Sequence, residues 1–359
     1  MPRFITLLCA LALVILTGWL GGCRDAAAIK LADRLYAIRL DHPPGTAEWE
    51  RALPRVVTVR GGRPHKLASF AEIDEDTVHV STASCHHGSR LPDPIKVDLR
   101  AFYTDRDLYL RLTWKDATPD RALMEWLADG TRWRNTGSQE DGFGLMWDPA
   151  GQFPQFNCSY ACHIQDFGVS RSSFHASNKM RLAKEGTWLD LWNWKADRTA
   201  RYGFADDRYL DHEGMKGDLP GELFQPNSRR GPAAAQGVQP FDDTDQPLYD
   251  GDHRPLGNSP PPPGSRVPGY LVERPAGGRA DVLAAAEHRG GEWRVVLRRA
   301  LHTGDQRDVV FVPGDPQGVA FGLAVMDHTL FEHYASAAPE RLVLLNKVQA
   351  AELVDLNAE

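Results

Sequence analysis

Cys158, Cys162 and His163 bring two thiols and an imidazole together within the segment Cys158-Ser159-Tyr160-Ala161-Cys162-His163. A Cys-His step closes the c-type haem attachment signature Cys-x-x-Cys-His. There the thiols add to the haem vinyl groups and the histidine becomes an axial iron ligand. Here the loop between the cysteines is one residue longer. Other chemistry fits the same residues. Cys-x-x-x-Cys is the spacing of periplasmic copper sites, and soft thiolates suit Cu(I). A binuclear copper site also needs a histidine and a methionine where Asp166 and Val169 stand, and a copper chaperone carries proline where His163 stands. Zinc would need Cys85, His86 or His87 to complete a tetrahedral set. A plain Cys158–Cys162 disulfide is open to an exported chain, but it gives His163 no role.

The N-terminus bears on that choice. Arg3 precedes an apolar run from Ile5 to Trp19, followed by Leu20-Gly21-Gly22-Cys23. A positive start, a short apolar stretch and small residues before a cleavage point describe an export signal. The run is shorter than the ~20 residues of a spanning helix. Small residues before a cysteine resemble the bacterial lipobox, in which Cys23 is lipidated and becomes the mature first residue; an uncleaved anchor is the other reading. Both put the body of the chain on the periplasmic or cell-surface side, tethered to a membrane. Residues 1–22 are then signal and 23–45 tether. Of the five cysteines, Cys9 leaves with the signal and Cys85 is left unpaired. Export also brings the chain to the compartment where bacteria attach c-type haem.

Any such site must be held by strands. The chain has 359 residues, 42% of them hydrophobic, enough for a full core. Leu108, Leu110, Leu112 and Trp114 alternate with Tyr109, Arg111 and Thr113. Further strands are expected at Lys96–Tyr103, Gly142–Trp147, Trp293–Arg298, Val309–Val312, Val319–Met326 and Leu342–Leu345, divided by Asp-, Gly- and Pro-containing turns. That pattern predicts a mainly β chain: an antiparallel, immunoglobulin-like two-sheet β-sandwich over residues 46–350, with short peripheral helices. A long irregular insertion is expected at about 205–266, which contains Pro260-Pro261-Pro262-Pro263, and a tail at 351–359. The formal charge of -7 shows no basic field for nucleic acid. Asp206, Asp207, Asp211, Asp242, Asp243 and Asp245 read as a solvated acidic face, or as one that steers a basic redox partner. No nucleophile–base pair or phosphate loop stands out, so an enzyme in its own right is not expected.

Several stretches resemble one family. Ala101 to Asp116, running Ala-Phe-Tyr-Thr-Asp-Arg-Asp-Leu-Tyr-Leu-Arg-Leu-Thr-Trp-Lys-Asp, is similar to the early hairpin of the ethylbenzene dehydrogenase-type haem-binding domain. Glu140-Asp-Gly-Phe-Gly-Leu-Met-Trp147 resembles its next strand. Leu189-Asp-Leu-Trp-Asn-Trp-Lys-Ala196 with Gly203-Phe-Ala-Asp-Asp207 resembles the Trp-rich segment after the haem site. Asp281-Val-Leu, Gly291 to Leu301 and Phe321-Gly-Leu-Ala-Val-Met-Asp327 resemble its later strands. The likeness runs from about Trp49 to Leu345, excluding the insertion.

The resemblance implies a sandwich that holds one haem and passes electrons. The family's gamma subunits, of ethylbenzene dehydrogenase and of molybdenum enzymes acting on dimethyl sulfide, selenate and chlorate, hold haem b between a methionine and a lysine. A cytochrome c branch carries Cys-x-x-x-Cys-His where the methionine lies. By that likeness Cys158 and Cys162 anchor a single haem c, and His163 is the proximal ligand. The lysine lies in a late segment matching Phe331-Glu332-His333-Tyr334-Ala335-Ser336, which makes His333 the distal ligand in preference to Lys347. His328, Met326 and Met180 are substitutes. Two imidazoles would give a saturated, low-spin iron suited to electron transfer. The expected protein is a membrane-anchored monohaem cytochrome whose partner is a redox protein, either a molybdenum oxidoreductase or another cytochrome. A copper- or zinc-binding lipoprotein using Cys158, Cys162, His163 and Cys85 stays open, as does a non-redox ligand-binding sandwich. His86 and His87 are adjacent and would point to opposite faces of a strand. Trp192 and Trp194 could line either the haem edge or the core, and His175 has no identifiable partner.

Overall fold

Alternation along the chain becomes a sheet in the computed structural model, which describes residues 34–60, 93–149, 185–219, 221, 223–229, 241, 244–273, 276–328, 333–336 and 338–356. The early strands are β1 (Leu35–Arg39), β2 (Arg55–Arg60), β3 (Ile95–Tyr103), β4 (Asp107–Lys115), β5 (Trp126–Ala128), β6 (Trp133–Asn135) and β7 (Gly142–Asp148). After them come β8 (Leu189–Lys195), β9 (Asp206–Asp211), β10 (Gly214–Gly217), β11 (Phe224–Pro226), β12 (Arg266–Val267) and β13 (Tyr270–Val272). The last are β14 (Leu283–His288), β15 (Glu292–Ala300), β16 (Val319–Met326), β17 (His333–Ser336) and β18 (Glu340–Leu345). Two helices, α1 (Thr46–Arg51) and α2 (Lys347–Leu356), lie at the periphery of the sequence of strands.

One sheet runs β10-β9-β8-β7-β16-β17-β2-β3-β4-β15-β14. A second path from β16 to β3 goes through β18 and β1, and β1 lies parallel to both its neighbours. The sheet therefore folds over on itself, and its two halves face each other as a sandwich. Local chemistry fixes the hairpins. Gly290 and Gly291 both have positive φ, 64° and 76°, and close the two-residue turn between β14 and β15. At the β3–β4 turn Thr104 Oγ1 accepts from the Asp107 amide at 3.1 Å.

The inward residues form one apolar layer. Leu108, Leu110, Leu112 and Trp114 of β4 face it, as expected. Trp192 and Trp194 are also in this core. Trp194 packs edge-on to Trp114 and Trp293, with ring centroids 6.2 and 5.1 Å away, so aromatic contact joins the halves. The other face of β3 and β4 is not bare either. Tyr109 and Phe102 are buried under Trp49 of α1, and the Arg111 guanidinium lies 5.1 Å from the Trp49 ring.

Three expectations need correction. Val309–Val312 is not a strand: Val309 and Phe311 are buried and Val310 and Val312 exposed, but the backbone makes isolated bonds instead of a ladder. The region expected as an irregular insertion at about 205–266 opens with β9 and β10, which extend the main sheet. Further along it, β11 pairs with β13 and β12 with β5, and Phe241, Val267 and Tyr270 pack on Trp126. Gly, Pro and Asp between short strands hid that order. The acidic face is also not solvated throughout. Asp206 and Asp207 are fully buried among arginines and Lys195, and Asp245 nearly so, accepting from the Arg229 and Gln246 amides; Asp242 and Asp243 lie outside the described residues. At the end of the chain, α2 covers residues assigned in part to the tail.

Candidate functional site

Cys158, Cys162 and His163 lie outside the described residues, as do Cys23, Cys85, His86, His87, His175 and Met180. What is described is the frame. The segment carrying the three residues leaves after β7 and returns at β8, and these strands are antiparallel neighbours with Trp147 opposite Asp190. It is thus a connection between two central strands of one half of the sandwich.

Alternation gives these strands a second face, turned away from the core. Across β8, β7 and β16 it presents the row Lys195, Gly142, Met326, and in β17 His333 is the register partner of Met326. The next row is Asn193, Gly144, Ala324, Ala335, and the next Leu191, Met146, Gly322. Glycine and alanine hold the middle, so the surface there is low and flat. Met146, Leu189, Leu191, Leu210, Ala324 and Ala335 form a buried apolar cluster on it. A Cβ at Gly142 would sit 2.8 Å from the Trp194 carbonyl oxygen and 3.0 Å from Met326 Cε. Only glycine fits beneath that methionine.

The distal candidates separate. His333 opens β17 in register with Met326, at the Gly142 end of β7. The cysteine segment leaves at the Asp148 end, ~20 Å away at the rise of a strand. The chain from Asp148 to Cys158 can span ~33 Å when extended, so it is long enough to return along the face. His328 is committed elsewhere. Its Nδ1 is 2.9 Å from Asp120 Oδ2, and its amide donates to Asp141 Oδ1 at 2.9 Å. Lys347 opens α2, and its charge acts on Asp105 in the β3–β4 turn of the other half.

A family model for ethylbenzene dehydrogenase matches residues 69–335, three quarters of the chain, spanning Cys158, Cys162, His163 and His333. The chain belongs to the ethylbenzene dehydrogenase family. Membership relates it to a subunit-like domain associated with an oxidoreductase. No curated protein matches it. Solved structures similar to it include a family 9 carbohydrate-binding module from Caldicellulosiruptor kristjanssonii in complex with cellotriose, at 7% identity over 88% of this chain and 95% of that one, TM-score 0.30. A putative carbohydrate-binding protein from Bacteroides uniformis ATCC 8492 is similar at 9% identity over 86% and 90%, TM-score 0.32. Likeness of that degree carries no ligand over to this family member.

One residue of the outer face escaped the sequence. Lys195 is buried, its ammonium 3.4 Å from Asp206 Oδ2 and 5.1 Å from the Phe224 ring centre. Burial lowers its pKa to about 7, against the pull of Asp206. Asp206 in turn also binds Arg279 at 2.7 Å, and the cations around it hold its carboxyl below the usual range despite burial. The alternation Trp192-Asn193-Trp194-Lys195 was the available signal: with the tryptophans inward, the lysine must share the opposite face with Asn193.

Proposed function

We propose that this family member is a membrane-anchored, extracytoplasmic monohaem c-type cytochrome that transfers electrons to or from a redox partner, either a molybdenum oxidoreductase or another cytochrome. The observation that carries it is positional. The Cys158–His163 segment joins β7 to β8, and His333 opens β17, so both halves of the ligand set attach to one continuous stretch of sheet. The donor set fits a haem: two thiols for the vinyl groups and two imidazoles for iron. The low Gly/Ala floor flanked by Met146 and Leu191 offers a planar group an apolar seat and keeps water from it.

In this assignment Cys158 and Cys162 anchor the porphyrin, His163 is the proximal ligand and His333 the distal one. The haem supplies one-electron Fe(III)/Fe(II) cycling when bound. The chain's own part is to hold ligands, exclude solvent and present a docking edge, while lipid on Cys23 would keep the domain at the membrane.

Expression with the cytochrome c maturation machinery tests this. The mature protein should show a Soret band and remain haem-stained after denaturing electrophoresis, and Cys158→Ala with Cys162→Ala should remove the stain. Colourless wild-type protein from that preparation would end the cytochrome assignment.

A further inference from the structure

β8 and β9 carry a second set of polar side chains, on the face turned to the core, that electron transfer does not use. Asp190 of β8, Asp207 of β9 and Asp308, beyond β15, converge on Arg299. The guanidinium lies 2.6 Å from Asp308 Oδ2 and 3.6 Å from both Asp190 Oδ2 and Asp207 Oδ2; Asp281 adds a fourth carboxylate at 3.8 Å. Arg299, Asp190, Asp207 and Asp308 are all buried. One cation thus faces four carboxyl groups, an excess of acids of which three are buried.

The hydrogen bonds do not absorb that excess. Asp190 Oδ2 accepts from the Val309 amide, and Asp308 Oδ2 from Thr303 Oγ1. Asp190 Oδ1 has no hydrogen-bond donor, nor has either oxygen of Asp207, which is fully buried. Arg299 reaches Asp190 and Asp207 only at 3.6 Å, beyond hydrogen-bond length, so a second cation would satisfy oxygens that the guanidinium does not. One oxygen from each of Asp190, Asp207 and Asp308 lies within 4.8 Å of the others. Three oxygens no more than that far apart can all lie within ~2.8 Å of one ion, which a small inward movement brings to the Ca–O range of ~2.3–2.6 Å. The donors are hard carboxylates without nitrogen or sulfur, which favours calcium over zinc or copper.

We propose that Asp190, Asp207 and Asp308 bind one Ca²⁺ ion, which ties the outer strands β8 and β9 to the segment following β15. In a second acidic group, Asp116, Asp141 and Asp327, one oxygen, Asp116 Oδ2, is also buried without a donor, but no arginine draws its members together. Asp141 there already accepts from Trp293 Nε1, the Asp120 amide and the His328 amide.

The test uses the full chain in detergent, stripped with EGTA and titrated with CaCl₂ by calorimetry and by thermal melting. One calcium per chain should bind. At a hundredfold excess over Kd the melting midpoint should rise by roughly 5 °C. Asp207→Asn should abolish both signals, and Asp116→Asn should keep them. A wild-type protein that binds no calcium and melts at the same temperature with and without it would overturn the site, even if Asp207→Asn fails to fold. Calcium binding retained by Asp207→Asn would overturn it too.

Discussion

His333 and Met326 are register partners in β17 and β16, and both were candidates for the distal ligand. They differ in what else they do. Met326 is buried over Gly142, whose missing Cβ makes room for it. Replacing His333 by Ala should convert a low-spin visible spectrum to a high-spin or ligand-exchanged one, whereas Met326→Leu should leave it low-spin. A low-spin spectrum unchanged in His333→Ala would remove His333 from the iron. Lys195 makes a separate prediction about pH. Its pKa is about 7 in the fold, while in the unfolded chain it stays protonated to ~10.4. Between those values the unfolded state binds more protons, so this group makes folding stability rise with pH. Urea denaturation at pH 7 and pH 9.5 should show a smaller rise in Lys195→Met than in the wild type; equal rises would mean the ammonium is not held neutral. Neither residue could be ranked from sequence, because register and burial are properties of neighbouring strands.

β7 and β8 are the elements on which the proposed site rests, and each has two working faces. The core face holds Phe143, Trp147, Trp192 and Trp194, and the outer face holds Met146, Gly144, Leu191 and Lys195. Trp194 stacks on Phe143 at 5.6 Å and meets Trp293 at 5.1 Å, so it belongs to the layer between the halves. Trp194→Ala should destabilise the protein by ~3–5 kcal/mol in urea titration. With the proposed haem bound, its Soret maximum should not move, since Trp194 faces the core and not the outer side of β7 and β8; a shifted Soret would put Trp194 at the cofactor. The strands themselves were legible where alternation was strong, as in β4, β7, β15 and β16. Weakly patterned strands were not. β9, with the sequence Asp-Asp-Arg-Tyr-Leu-Asp, looks like a solvated loop until Arg279 and Arg299 neutralise its two faces.

At the scale of the molecule, the residues from Asp33 onward form one compact unit. Two routes connect β16 to β3, one through β17 and β2, the other through β18 and β1. Closure of this kind leaves few open edges for unwanted pairing. Among the described residues no helix is long and apolar enough to cross a membrane. The proposed lipid attachment at Cys23 makes its own prediction. If the proposed lipid anchor and haem are present, Cys23→Ser should move the protein from the membrane pellet to the soluble extract on fractionation, with its haem stain retained. A variant that stays in the pellet through a carbonate wash would argue for an uncleaved anchor.

The order of residues by itself determined the family, the β class and the ligand chemistry on offer. Those depend on residue type and on spacing along the chain: Cys158 to His163, the alternation from Leu108 to Trp114, and the Trp-Asn-Trp-Lys segment are all local. The tertiary structure decided which of these meet. It set His333 on the same stretch of sheet as the strands that bracket the cysteine segment, tied His328 to Asp120, and turned Trp192 and Trp194 into the core. It also gathered Asp190, Asp207 and Asp308 around Arg299 from strands and loops far apart in sequence. Pairing between strands is long-range, and a shift of one residue would exchange every side chain between the two faces. No local pattern records that choice.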